Sequence, residues 1–297
     1  MAVTDVNPGG DFKNVGKELL GNRVLFLAPH PDDETLACGG SLAMHSKHQD
    51  TLKIVVLTDG RAADDNKTMS NEDYVALREN ETRMSLQILG IDLGCLEFWR
   101  FEDQKLSANH DQAKKRLGEL LDAYRPTLVY SPSPAEHHTD HIAASKICFE
   151  AVRESRQKPH VAFYEFNQPV RPNFIADISE VSALKERACD VFSSQNKLHS
   201  YARAAMGLSQ YRALARSALG CRYAEAFQIF QGRDFSATSF DRFVFEKIAL
   251  PAADFKQTIL AEQRALVDRI QHIEASKSWR WSAPVRNTLF RISRWLT

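Results

Sequence analysis

The chain has 297 residues, 43% hydrophobic and 26% charged, with 38 basic side chains against 38 acidic ones. That is the composition of a globular protein of one large or two small domains, with enough apolar mass to bury a core. Zero formal charge argues against a dedicated nucleic-acid binder, which needs an excess of Lys and Arg to neutralise phosphate.

Residues 1–22 have no basic start and no apolar stretch, so they read as a leader and not as a signal peptide. No run along the chain approaches the roughly 18 apolar residues of a spanning helix. The five cysteines are widely spaced and form no C-x-x-C pair, which disfavours a thiolate zinc site or a redox dithiol and suits a reducing cytoplasm. Short, continuous apolar runs at 24–28, 52–57 and 127–130 have the character of parallel strands covered on both faces. Helical patterns at 35–47, 71–89 and 111–124 lie between them. A strand at 162–166 and a helix from 182 to about 201 continue the series. This alternation predicts an α/β fold, Rossmann-like and doubly wound, with a mostly parallel sheet and helices on both faces.

The character changes beyond about residue 230. Residues 254–276 read as one helix, with Ile259, Leu266, Ile270 and Ile273 at near-heptad spacing and Gln263 interrupting the seam. Residues 275–297 hold five basic side chains, no acidic ones and three of the four tryptophans. The division expected is a leader at 1–22, a main domain at 23–235 and a helical extension with a basic, Trp-rich tail at 236–297.

Two clusters carry the chemistry. Ala28-Pro29-His30-Pro31-Asp32-Asp33-Glu34 directly follows the first strand, and Glu136-His137-His138-Thr139-Asp140-His141 follows the 127–130 strand. Both therefore fall beyond the carboxyl ends of parallel strands, where open α/β sheets place ligands, and each leads into a helix N-terminus. One His-Pro-Asp run alone reads equally well as loop capping. Two clusters at equivalent strand ends favour a site in which His30, one of Asp32 and Asp33, and one histidine of the second cluster hold a metal. Three protein ligands with an open position is the catalytic zinc pattern, and the spare carboxylate can serve as a base. Fe(II) is also compatible with two histidines and a carboxylate. The first strand lacks G-x-G-x-x-G, so no dinucleotide is expected.

The run VLFLAPHPDDETLACGG together with HHTDHIAAS resembles the two signatures of the LmbE-like, or GlcNAc-phosphatidylinositol de-N-acetylase-like (PIG-L), zinc deacetylases. The resemblance spans about residues 23–230. It implies His30, Asp33 and His141 as zinc ligands and Asp32 as the general base. His138 would stabilise the oxyanion or protonate the leaving amine, with Asp140 orienting it. Asp103 matches a further family position near the site; Arg78, Glu81, Ser194-Gln195 and 224–227 are weaker echoes. The implied reaction is hydrolysis of an acetamide on an amino sugar or sugar conjugate. Arg61, Arg78 and Arg100 are candidate anion contacts if that substrate carries phosphate. No role is assigned to His137.

The tail SKSWRWSAPVR is similar to a short segment near the ends of many bacterial polysaccharide-assembly proteins, which points to glycan biosynthesis. Its Trp and Arg residues with Leu289, Phe290, Ile292 and Leu296 form a basic amphipathic stretch that could rest on an anionic membrane or meet an assembly partner. The plainer reading is a helix packed on its own domain. Two rivals to the deacetylase remain: an amidase of the same fold acting on a larger amide such as a thiol-sugar conjugate, and a non-catalytic recruitment protein.

Overall fold

The computed structural model describes residues 21–64, 67, 69–195 and 200–248. The predicted helix at 254–276 and the basic tail lie outside the described residues.

Chain order runs β1 (Arg23–Ala28), α1 (Asp33–Lys47), β2 (Thr51–Thr58), α2 (Asn71–Ile88), β3 (Leu96–Phe101), α3 (His110–Tyr124), β4 (Leu128–Pro132), α4 (Thr139–Glu154) and β5 (His160–Tyr164). Then follow β6 (Phe174–Asp177), α5 (Ser182–Cys189), α6 (Tyr201–Ala213), β7 (Ala224–Gln231) and the single turn α7 (Phe240–Phe243). The strands form one sheet in the order β3-β2-β1-β4-β5-β7-β6. β1 to β5 pair in parallel, and β7 is antiparallel to both its neighbours. The doubly wound, mostly parallel α/β fold expected from the sequence is the one found.

The continuous apolar runs have a direct explanation. Along β1, Val24, Phe26 and Ala28 face a core shared with α1, α2 and α5, while Leu25 and Leu27 face one shared with α3, α4 and α7. With both faces covered, no position on the strand can be polar, and alternation disappears. The order in which strands are added reverses between β1 and β4: β2 and β3 extend one side of β1, while β4 and β5 extend the other. This is the topological switch point, and its carboxyl-end crevice is where such sheets bind ligands.

The helix predicted from 182 to about 201 ends at Cys189. Its continuation is diverted because Ser194 donates from both its backbone N–H and its hydroxyl to the Glu81 carboxylate, at 2.9 and 2.6 Å. A separate helix begins at Tyr201, where the Ser200 hydroxyl accepts from the Arg203 N–H. Helix α1 is kinked at Cys38, which frees backbone donors in its middle. Glu225 on β7 takes two of them, from Gly40 and Ser41 at 2.8 Å each, and pairs with the buried Lys185 ammonium at 2.7 Å. Gly40 itself permits the close approach of α1 to Ile178, since a Cβ there would stand 2.6 Å from the isoleucine Cδ1. Lys185→Met should lower unfolding free energy by about 3–5 kcal/mol, because it leaves the Glu225 charge buried without its counter-ion. Urea unfolding of the variant measures this; an unchanged midpoint would remove the pair from the account of α1.

Candidate metal centre and active site

The site is built where the β1–α1 turn meets the β4–α4 turn. Asp32 sits just before α1 with φ 151° and ψ −27°, a conformation L-residues rarely adopt. Such strain persists only where surrounding contacts over-determine it, and here they do. The Asp32 N–H reaches the Glu34 carboxylate at 3.2 Å, and its side chain pairs with the Arg78 guanidinium at 2.7 Å. Arg78, only 2% exposed, also donates to the carbonyls of Pro31 and Gly60. The turn is thereby held from α2 and from the end of β2.

Asp33 occupies the centre. Its Oδ2 accepts the His30 backbone N–H at 2.8 Å and lies 3.4 Å from His30 Nδ1 and 3.3 Å from His141 Nε2. Those two separations are long for charge-assisted hydrogen bonds, which fall at about 2.7–2.9 Å. They match the spacing of two ligands that each stand ~2.0–2.1 Å from one tetrahedral zinc, roughly 3.3–3.4 Å apart. The remaining His30 nitrogen, Nε2, faces Asp103 Oδ1 at 3.1 Å and Asp140 Oδ2 at 3.4 Å. A carboxylate behind a histidine fixes its tautomer and leaves the other nitrogen free to ligate. Burial works against ionisation of His30, but Asp103, Asp140 and Asp33 around it outweigh this and raise its pKa well above the usual value. The cage is built to hold positive charge. The donor set of two imidazoles and a carboxylate fits Zn²⁺, and the orphaned Nδ1 of His141 fits a ring whose other nitrogen is a ligand.

Beside this centre stand the two groups expected to do proton and oxyanion work. Burial pushes Asp32 up to about 6, against the opposing pull of Arg78. Asp33 is held far below the usual carboxylate range because the His141 and His30 charges override its burial. The two adjacent aspartates thus differ sharply in basicity. His138 caps α4: its Nδ1 accepts the Asp140 backbone N–H at 3.2 Å. Its ring lies 4.6 Å from that of His30 and 5.4 Å from that of His141, centroid to centroid. Burial and these neighbours lower its pKa.

With this geometry in view, the comparisons are specific. Residues 25–152 match the family described as GlcNAc-PI de-N-acetylase, PIG-L. The crystal structure of the conserved protein TT1542 from Thermus thermophilus is 30% identical, with a TM-score of 0.59, covering 69% of this chain and 93% of that one. The chain belongs to the PIG-L family. A diacetylchitobiose deacetylase from Thermococcus kodakarensis is 28% identical over 192 residues, 58% of this chain and 70% of its own length. This chain spans about half, 51%, of the length of a mycobacterial 1D-myo-inositol 2-acetamido-2-deoxy-alpha-D-glucopyranoside deacetylase to which it is 27% identical, over 45% of its own. A Pseudomonas putida 4-carboxy-2-hydroxymuconate hydratase, 23% identical, shares the fold at TM-score 0.61, covering 69% of this chain and 95% of that one. Fold likeness alone therefore leaves the reaction open.

Both PIG-L signatures meet at one place, and the weaker echoes acquire physical meaning. Glu81 anchors Ser194, Arg78 holds Asp32, and Glu225 bridges α1 to Lys185. The other expected site residues are placed as follows. Arg78 is not placed to meet a substrate, because it is buried against the β1–α1 turn. Arg100 pairs with Glu79 at 2.6 Å, an alternative use of its charge. Arg61 keeps a 40% exposed side chain and pairs with Asp59, whose Oδ1 lies 3.3 Å from the Asp103 N–H, so of the three it combines exposure with a place beside the site. Asp103 faces His30 and the Ala62 N–H, which pull its pKa down to about 2 against its burial, so it stands as a partner of a candidate ligand. The Asp140 carboxylate does not orient the His138 ring. It accepts the N–H groups of Gln104 and Leu106 at 2.7 and 3.1 Å and meets His138 only through its own backbone N–H. Sequence reasoning assigned nothing to Glu136, which proves buried behind His141.

Arg78→Met tests the link from α2 to Asp32. The guanidinium favours the ionised carboxylate, so its loss should move the acid limb of any activity that depends on Asp32 to higher pH. A pH–rate profile checks this, and an unmoved limb would detach Arg78 from the base.

Proposed function

We propose that this protein is a metal-dependent N-deacetylase that hydrolyses the acetamide of an N-acetylated amino sugar or its conjugate to acetate and a free amine. The observation that carries the reading is the approach of Asp33 Oδ2 to both His30 Nδ1 and His141 Nε2, at 3.4 and 3.3 Å, with Asp32 and His138 beside them. The names of the PIG-L relatives support the acetamide and the sugar.

His30 Nδ1, an Asp33 oxygen and His141 Nε2 would hold the ion. When bound, Zn²⁺ supplies a Lewis acid for a carbonyl oxygen and a lowered pKa for water. Fe(II) suits the same donors. Asp32 takes one proton from the attacking water as its oxygen bonds to the amide carbon. A carboxyl group near pH 6 is well matched to that task, being ionised at neutral pH yet basic enough to accept. Asp32 then returns the proton to the departing nitrogen as the C–N bond breaks.

The cap bond on His138 favours one of its two expected roles. Because Nδ1 accepts an N–H, a neutral ring carries its proton on Nε2. That proton can be donated as a hydrogen bond to the oxyanion, but transferring it would leave an imidazolate. His138 is therefore the oxyanion donor, and Asp32 is the acid for the leaving amine. Activity should rise with pH through about 6 as Asp32 ionises, and lower still where bound cation charge favours its ionised form.

A role in polysaccharide assembly, a cytoplasmic location and membrane contact through residues 275–297 belong to this proposal and rest on the sequence; among the described residues no helix is long and apolar enough to cross a membrane. The test is paired measurement of acetate and free amine from zinc-loaded protein offered N-acetylglucosamine, its disaccharide, inositol-linked, nucleotide-linked and lipid-linked forms, and a thiol-sugar amide. Equimolar acetate and amine from one of the acetylated sugars supports the reading. Release of a larger acid from the thiol-sugar amide would transfer it to the amidase. No release from any of them would favour a lyase such as the hydratase sharing this fold, or a recruiting protein.

A further inference from the structure

Behind the proposed ligand His141 lies a pair of buried polar atoms with no hydrogen-bond partner. His141 Nδ1 and Glu136 Oε2 are both buried and unsatisfied, and they face each other at 4.0 Å. Buried polar atoms left unpaired are costly, so an arrangement that keeps two of them face to face calls for a proton between them. The other Glu136 oxygen is fully engaged: Oε1 accepts the backbone N–H groups of Phe166 and Gln168 at 3.0 and 3.1 Å. Those residues open the segment after β5, and the Phe166 ring lies 5.4 Å from the His141 ring. Glu136 is fixed in place by a tight turn, its own N–H donating to the Ser133 carbonyl at 3.2 Å.

We infer that Glu136 is a positioning residue that couples metal occupancy at His141 to the Phe166–Gln168 rim of the site. The inference rests on the assignment of His141 as a ligand through Nε2. A neutral imidazole that ligates through Nε2 carries its proton on Nδ1 and needs an acceptor there. Glu136 Oε2 is the acceptor that faces it. One carboxylate then holds the ligand with one oxygen and the rim backbone with the other, so fixing the ring also fixes the rim.

Glu136→Gln separates this from a merely structural role. The amide keeps the shape, but one of its two ends is a donor. Facing His141, the NH₂ opposes the Nδ1 proton; facing the rim, it opposes the Phe166 and Gln168 N–H groups. Zinc affinity is measured on metal-free protein by competition with a chromophoric chelator, alongside the Co²⁺ absorption spectrum and the unfolding midpoint of the metal-free form. Glu136→Gln should weaken zinc binding by about 10–100-fold and alter the Co²⁺ spectrum, with the metal-free midpoint little changed. Zinc affinity within about twofold of wild type, outside the range expected for a lost ligand partner, would overturn the inference. If the variant does not fold, wild-type amide exchange decides: zinc should slow exchange at Phe166 and Gln168, and no slowing overturns the coupling. A wild-type protein that binds no zinc overturns both this inference and the ligand assignment, whereas zinc binding without deacetylation overturns only the activity.

Discussion

Asp32→Asn is expected to lower kcat on the preferred N-acetyl sugar by about 100- to 10,000-fold, the range for losing a general base, with zinc content unchanged. The expectation follows from the difference between two adjacent carboxylates. Asp33 faces both candidate histidine ligands, and their charges hold it far below the usual carboxylate range, which suits it to the ligand role better than to the base. Asp32 points instead to Arg78, and its burial raises its basicity to about 6. Asparagine keeps the size and one acceptor oxygen but cannot take a proton. Steady-state kinetics and metal analysis on the same sample decide it. A variant that loses zinc and recovers its rate on reconstitution would exchange the roles of Asp32 and Asp33.

Asp33→Ala should abolish stable zinc binding and with it detectable activity. Among the described residues this carboxylate lies within 3.4 Å of a ring nitrogen of both His30 and His141, so its removal leaves two imidazoles without their anionic partner. It also removes the acceptor for the His30 N–H, which loosens the turn itself. Elemental analysis after dialysis reads the first effect. Zinc retained at about one equivalent in Asp33→Ala would place the ion elsewhere, with the His30, Asp103 and Asp140 cluster as the next set of donors.

Much of the fold was readable because burial on both faces writes itself as uninterrupted apolar runs, as in β1 and β2. The strand β3, LEFWRF, hid because it lies at the sheet edge, where Glu97 and Arg100 are tolerated and the apolar run breaks. The antiparallel β7, AEAFQIFQ, carries Glu225 in its interior, a residue that argues against a strand until Lys185 and the kinked α1 are seen to meet it. The break after Cys189 depended on Glu81, more than a hundred residues earlier, and no local pattern encodes that contact.

At the site, the ligand types and their strand-end placement were legible from the two clusters. Roles set by direction were not. Asp140 and His138 are two residues apart, yet the carboxylate points to the Gln104–Leu106 turn, and only the backbone N–H meets the ring. Arg78 read as a surface anion contact because an isolated arginine carries no mark of burial. Glu136 drew no attention because an acid beside histidines reads as part of the cluster; its orphaned oxygen appears only in three dimensions.

The central claim is that one ion held by His30, Asp33 and His141 makes Asp32 a productive base toward an acetamide. Titrating metal-free protein with Zn²⁺ while following free-amine release from an N-acetylglucosamine conjugate tests it most directly. The rate is expected to climb linearly and level at about one equivalent, with Asp32→Asn binding the same zinc and remaining flat. Amine release by the metal-free protein, or a zinc-loaded Asp32→Asn as fast as wild type, would contradict it.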